Sequence, residues 1–294
     1  MKFALHTVSY AGCWKGQFGM PLEGAIEKAA RLGYNGVEIM AKRPHASVLD
    51  MSAERVKRVK ALLDDKGLSC ACIAGYTDFL LGIDSMLVPS IEMQVSHVQQ
   101  LGEMACALGG NLVRVFTGYE VPGHQYWPQW YMVVEALREC ARKLAPMGVT
   151  LGLQNHHDIG ADPEGMIDLL QDIGEPNVKA MYDAWTPALH GDDLAIAARR
   201  LAPHMAYTTV ADYVRMPRWH YEPSLTNFSR DQDMVKAVPM GEGFIDYKTY
   251  FKALRNAGYD GWVSYEMCSP VRGGGTEANL DYCAGKFLEY MAAI

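Results

Sequence analysis

The feature that most constrains this chain is a rhythm. A short apolar run gives way to a polar break, and a longer segment with helical spacing follows. The pattern recurs eight times in 294 residues. The apolar runs span 3–9, 36–40, 68–74, 112–117, 149–154, 178–183, 204–211 and 262–267. The amphipathic segments span 22–32, 53–66, 91–108, 130–145, 163–173, 193–201, 247–256 and 277–290. Val56, Val59, Leu62 and Leu63 illustrate the helical spacing. Gly33, Gly67, Gly109, Gly148 and Gly258 each stand just past a helix, where glycine accepts the left-handed conformation that ends one.

Strands alternating with helices imply parallel pairing, because a parallel neighbour needs a crossover that a helix supplies. Eight such units, with no low-complexity linker, predict a single-domain (β/α)8 TIM barrel over residues 1–294. The alternative is a doubly wound open sheet, but no GxGxxG follows the first strand. Helix-to-strand links are short, whereas strand-to-helix links are long after strands three, four and eight. The longest, 212–246 after strand seven, reads as a structureless lid, binding loop or interface arm. In a barrel these links share the end where active sites are built.

Composition narrows the partners. Hydrophobic residues make up 49% and charged residues 21%, enough for a sizeable core. A net charge of -7 without a basic patch argues against nucleic acid. No run suits a membrane span, and the N-terminus turns polar too early for a signal peptide. The seven cysteines form no CxxC pair. They read as reduced core thiols of a cytoplasmic protein, with Cys70 and Cys72 on one face of strand three. A homo-oligomer is compatible with all of this.

The strand ends carry the chemistry. They present His6, Glu38, Arg114, Gln154 with His156, Asp183, Thr209 with Asp212, and Glu266; Asp78 lies just past strand three. Charge at the end of a buried strand is costly unless it has a partner or a task. Recurrence at most strand ends is what a convergent site predicts. Glu38 and Arg114 read either as site residues or as an ion pair closing the barrel. Asp158 and Asp162 read as turn or helix-start residues. Trp14, Trp127, Trp130, Trp185 and Trp219 lie in or beside strand-to-helix links, as sugar-stacking faces or loop packing. Arg215 and Arg218, in the longest link, suit a sugar or an anion. Arg272-Gly273-Gly274-Gly275 before the last helix reads as a phosphate site or a hinge.

The stretches LGYNGVEI, VTLGLQNH, VKAMYDAW, MGEGFIDY and GYDGWVSYE together resemble the xylose isomerase-like TIM barrels of the sugar phosphate isomerase/epimerase superfamily. The resemblance implies an enzyme that moves a proton next to a carbonyl of a small sugar, keto-sugar or cyclitol. A keto-sugar lyase or hydratase, or a sugar-binding barrel without catalysis, are the alternatives. In ketose epimerases of that superfamily, Glu, Asp, His and Glu from strands five to eight hold a divalent metal. Asp183 and Glu266 match; Gln154 stands for the strand-five Glu and Thr209 for the strand-seven His. The resemblance therefore implies a Mn2+ or Mg2+ site of Asp183, Glu266 and Gln154, or none. Glu266 is the expected base, because Gln154 cannot take a proton. His156 is the first choice for its partner and Asp212 another. His6, Glu38, Arg114, Gln154, Trp185, Thr209, Asp212, Arg215 and Arg218 are expected to contact substrate. The superfamily's AP-endonuclease branch, with its polynuclear zinc and DNA face, is not implied by this acidic chain.

Overall fold

The computed structural model describes residues 1–84 and 87–294. Eight parallel strands close into a barrel: β1 (Lys2–His6), β2 (Gly36–Met40), β3 (Ser69–Ala74), β4 (Leu112–Val115), β5 (Thr150–Gln154), β6 (Val178–Met181), β7 (Met205–Val210) and β10 (Trp262–Tyr265). The helices α1 (Leu22–Leu32), α2 (Ala53–Asp65), α3 (Ser90–Ala107), α4 (Tyr126–Leu144), α5 (Pro163–Ile173), α7 (Leu194–Leu201), α8 (Tyr247–Asn256) and α9 (Glu277–Ala293) connect and flank them. The fold is the expected single-domain (β/α)8 barrel. The larger apolar core fills the layer between strands and helices. A smaller cluster of Ala4, Ala71, Cys72, Leu112, Met181 and Tyr207 plugs the barrel interior. That plug makes the barrel a packed core rather than a pore. Among the described residues, no helix is long and apolar enough to cross a membrane.

Several strands end earlier than the apolar runs suggest, and side chains cause it. After His6 the chain turns into a 3-10 segment (Thr7–Tyr10), because His6 Nδ1 accepts the Val8 N–H at 3.2 Å. β6 stops at Met181; the Asp183 N–H is taken by Asn155 Oδ1 at 2.9 Å instead of a strand neighbour. α4 begins at Tyr126 rather than at 130, because Pro128 in its first turn forfeits no helical bond. A short helix, α6 (Trp185–His190), was not expected.

Three expectations are corrected. Cys70 and Cys72 do not share a face: the β2–β3 register shifts between Val37 and Glu38, so Cys70 packs outward and Cys72 into the barrel interior. A bulge breaks the period-two alternation that the expectation assumed. The link after β7 is not structureless. It is an antiparallel hairpin, β8 (Asp212–Glu222) paired with β9 (Asn227–Val238). All seven cysteines are free; four are buried, Cys268 is half-buried, and Cys13 and Cys106 are exposed rather than core residues.

Candidate active site

The strand ends converge. His6, Glu38, Arg114, Gln154, Asp183, Thr209 and Glu266 are all buried at the mouth of the barrel. Above them lies a cleft with two lobes. The smaller, about 200 Å3, is lined by Gln154, Asp183, Trp185, Thr209 and Tyr213. The larger, about 590 Å3, is lined by Trp14, Lys42, Tyr76, Phe116 and His157. His156, Glu266 and Cys268 form the wall common to both. A groove of about 770 Å3 between α2 and α3 is bigger. Its charges, such as Lys57 and Lys60, sit on outward helix faces, and no buried strand-end charge opens into it.

The floor is a continuous polar network. Arg114, fully buried, lies 3.7 Å from Glu38 Oε1 and donates from Nη1 to Gln154 Oε1 at 2.9 Å. Its Nη2 donates to the Gly75 carbonyl at 3.3 Å, and the guanidinium sits over the rings of Phe116 and Tyr76. So Glu38 and Arg114 do pair, yet the same guanidinium also organises the site. With Nδ1 accepting from Val8, neutral His6 carries its proton on Nε2, which lies 3.6 Å from Glu38 and 3.9 Å from Glu266. Burial and the nearby Arg114 hold His6 well below the usual imidazole range. Burial pushes the Glu38 carboxyl up to about 7 against the pull of Arg114.

Glu266 is likewise raised by burial, partly offset by Arg114. Asp183 is pushed up to about 7 by burial, although its Oδ1 accepts the Trp185 N–H at 2.9 Å and Gln154 Nε2 lies 3.3 Å from Oδ2. A carboxyl near 7 is poised to give and take protons at neutral pH. His156 packs against Phe116 and Trp185, and its Nδ1 has no partner within the protein. Burial lowers it to about 4, so it meets a substrate as a neutral imidazole.

The geometry separates the expected residues into two sets. His6, Glu38, Arg114, Gln154, His156, Asp183, Trp185, Thr209 and Glu266 gather at the mouth. Asp212, Arg215 and Arg218 lie elsewhere. The Asp212 carboxylate accepts from the N–H groups of Tyr213, Gly241 and Gly243. A Cβ at Gly243 would collide with it. Asp212 is thus a turn fastener, and the glycines of MGEG serve it. Arg215 donates to the carbonyls of Ala188 and Leu189 and covers the Phe244 ring. Arg218 stands 3.7 Å from Asp231 on the exposed hairpin. Of the five tryptophans in or beside strand-to-helix links, Trp14 and Trp185 line the cleft; Trp127 and Trp219 are exposed, and buried Trp130 donates to Asp172. The glycine run before α9 is tied by Asn279, which donates to the carbonyls of Arg272 and Gly274. Asp162 caps α5 and Asp158 accepts the Glu120 N–H, both turn roles. Lys42, Tyr76 and Cys268 were missed. Lys42, whose ammonium lies 3.7 Å from the centre of the Tyr76 ring, could have been found as the first charge after β2.

The fit of a divalent metal turns on Gln154. Arg114 offers only donors, so the atom facing it must be the amide oxygen. The amide nitrogen then faces Thr209 Oγ1 at 2.8 Å and Asp183 Oδ2 at 3.3 Å. An amide N–H2 has no lone pair to give, whereas Mn2+ and Mg2+ require oxygen ligands. The residues present do not fit such an ion. Among the described residues, no three His, Cys, Asp or Glu side chains stand together in a metal-binding arrangement.

A family model described as xylose isomerase-like TIM barrel matches residues 26–284, and the chain belongs to that family. Among curated relatives, the chain is 23% identical over 261 residues to fructoselysine 3-epimerase of Shigella flexneri, covering 84% of this chain and 86% of that protein. It is 23% identical over 259 residues to inosose dehydratase of Lacticaseibacillus casei, covering 83% and 81%. Among solved structures, D-allulose 3-epimerase from Methylomonas sp. superposes with a TM-score of 0.75 at 17% identity, over 100% of this chain and 97% of that one. The probable 3-DHS dehydratase AsbF from Bacillus anthracis superposes with a TM-score of 0.73 at 20% identity, over 99% of each. At these identities the superpositions establish the fold.

Proposed function

We propose that this barrel is a sugar isomerase or epimerase that moves a proton at the carbon next to a carbonyl of a small sugar, keto-sugar or cyclitol. One observation carries the reading: Glu266, a buried carboxylate with raised basicity, stands in the wall common to both lobes of the cleft. From there it reaches a substrate in either lobe. The base removes the proton, and negative charge develops on the carbonyl oxygen. The partner group is Asp183 rather than His156 or Asp212. Asp183 borders the same small lobe and titrates near 7. His156, near 4, is too weak a base; its ring forms part of the cleft wall beside Glu266. The Asp212 oxygens are engaged with backbone N–H groups. Trp14 and Trp185 offer faces to the CH surface of a ring.

A second reading, dehydration of a keto-sugar or cyclitol, draws on the different placement of the two carboxyls: Glu266 borders both lobes and Asp183 only the smaller. An elimination uses a base and a separate acid for the departing hydroxyl, and inosose dehydratases are among the relatives. Incubation with D-allulose, fructoselysine and inosose, followed by NMR and mass analysis, separates the readings. An isomeric product supports the first and loss of water supports the second. No conversion of any ketose or inosose would contradict both.

A further inference from the structure

In this family the strand-five residue is expected to be a carboxylate that shares a cation with the carboxylates of strands six and eight; here it is Gln154. The amide is not merely an uncharged substitute. Its orientation is forced. Arg114 holds the oxygen at 2.9 Å, so both N–H bonds point toward Thr209 and Asp183. Rotating the amide to offer its oxygen there would press its N–H2 group against the guanidinium, donor against donor. Both residues are buried, with Gln154 at 1% exposure and Arg114 at 0%. Such a clash would find no water to relieve it.

We infer that the Arg114–Gln154 pair replaces a divalent ion: the anchored amide fills the space between Asp183 and Thr209 that a cation would need, and the centre works without one. The guanidinium supplies the fixed positive charge. It faces Glu38 directly and polarises the amide that faces Asp183. An added divalent ion would meet this cation with no new carboxylate to offset it. Asp183, not tied up as a ligand, stays free to exchange protons. Gln154 is thereby a positioning residue, and Thr209, which accepts from it at 2.8 Å, completes the fixture.

The inference concerns the site of the proposed function, but its test needs no turnover. Uptake of Mn2+ is measured by equilibrium dialysis on EDTA-treated protein without any sugar. The wild type is expected to retain no stoichiometric Mn2+. Gln154→Glu, which restores a carboxylate beside Asp183 and Glu266, is expected to bind Mn2+ at least about tenfold tighter. Circular dichroism and a thermal melt accompany each variant. Should Gln154→Glu fail to fold, Gln154→Asp, with a shorter carboxylate at the same position, carries the same expectation. Stoichiometric Mn2+ in the wild type, lost in Asp183→Asn, would overturn the inference. So would Mn2+ affinity unchanged by Gln154→Glu. Conversely, absence of sugar turnover would count against the proposed function while leaving the dialysis result intact.

Discussion

The barrel mouth and the hairpin beside it are both rich in charge and aromatic rings, and both follow barrel strands. They differ in what surrounds those groups. At the mouth, Arg114, Glu38, Gln154 and Asp183 are buried and serve one another at 2.9–3.7 Å. On the hairpin, Trp219 and Phe228 are each 60% exposed, and Arg218 pairs with Asp231 across the strands. Exposed pairs of that kind contribute little, about 0–1 kcal/mol. A buried charge that loses its partner costs about 3–5 kcal/mol. Polarity at a strand end therefore marks a site only when the barrel also removes it from water.

That contrast can be broken by substitution. The largest stability effect is expected at Arg114→Met, which leaves Glu38 without its cation and Gln154 without its donor. A loss of about 3–5 kcal/mol in urea unfolding is expected; a loss below 1 kcal/mol would mean that the floor is not a single network. Next comes Asp183→Asn. Removing a proton-transfer group is expected to lower kcat by about 100-fold or more while the fold persists; unchanged kcat would remove Asp183 from the chemistry.

The same variant tests the electrostatics. The Asp183 carboxyl lies above its ordinary value near 3.8, at about 7, because folding penalises its charged form. Its contribution to stability is therefore intact below pH 4 and lost as pH rises through about 7. Asp183→Asn should gain on the wild type by a few kcal/mol at most at pH 8.5, with no gain at pH 4. Equal gains at both pH values would contradict the burial argument. The smallest effects belong to the hairpin. Arg218→Ala should change stability by less than about 0.5 kcal/mol and leave kcat within twofold; a large loss of kcat would put the hairpin into the site.

The barrel itself was legible because its signals are local and repeated. Gly33, Gly148 and Gly258 all take positive φ just past a helix, and each separates a helical period from the next apolar run. The convergence of His6, Arg114, Gln154 and Glu266 was legible for the same reason, since strand ends of one barrel share one rim. The hairpin was not. Pro217 interrupts its alternation, and the register shifts between Met216 and Arg218 to accommodate it. Its turn uses Thr226 at φ 48 rather than glycine, so the usual turn signal is missing. Asp212 looked like a substrate contact because nothing in the sequence reveals that Gly241 and Gly243 present their N–H groups to it. Gln154 was legible as a departure. Its meaning depends on Arg114, 40 residues away in the chain, and only the pairing of β4 with β5 brings the two together.

Proton transfer by Glu266 next to a substrate carbonyl leaves a direct signature in solvent exchange. EDTA-treated wild type and Glu266→Gln are incubated in D2O with D-allulose, fructoselysine or inosose, and loss of the C–H signal next to the carbonyl is followed by NMR. The wild type is predicted to wash deuterium into at least one of these compounds, and Glu266→Gln to do so at least about 100-fold more slowly while remaining folded. Exchange at the same rate in both proteins, or none in the wild type with any of the three, would contradict the account.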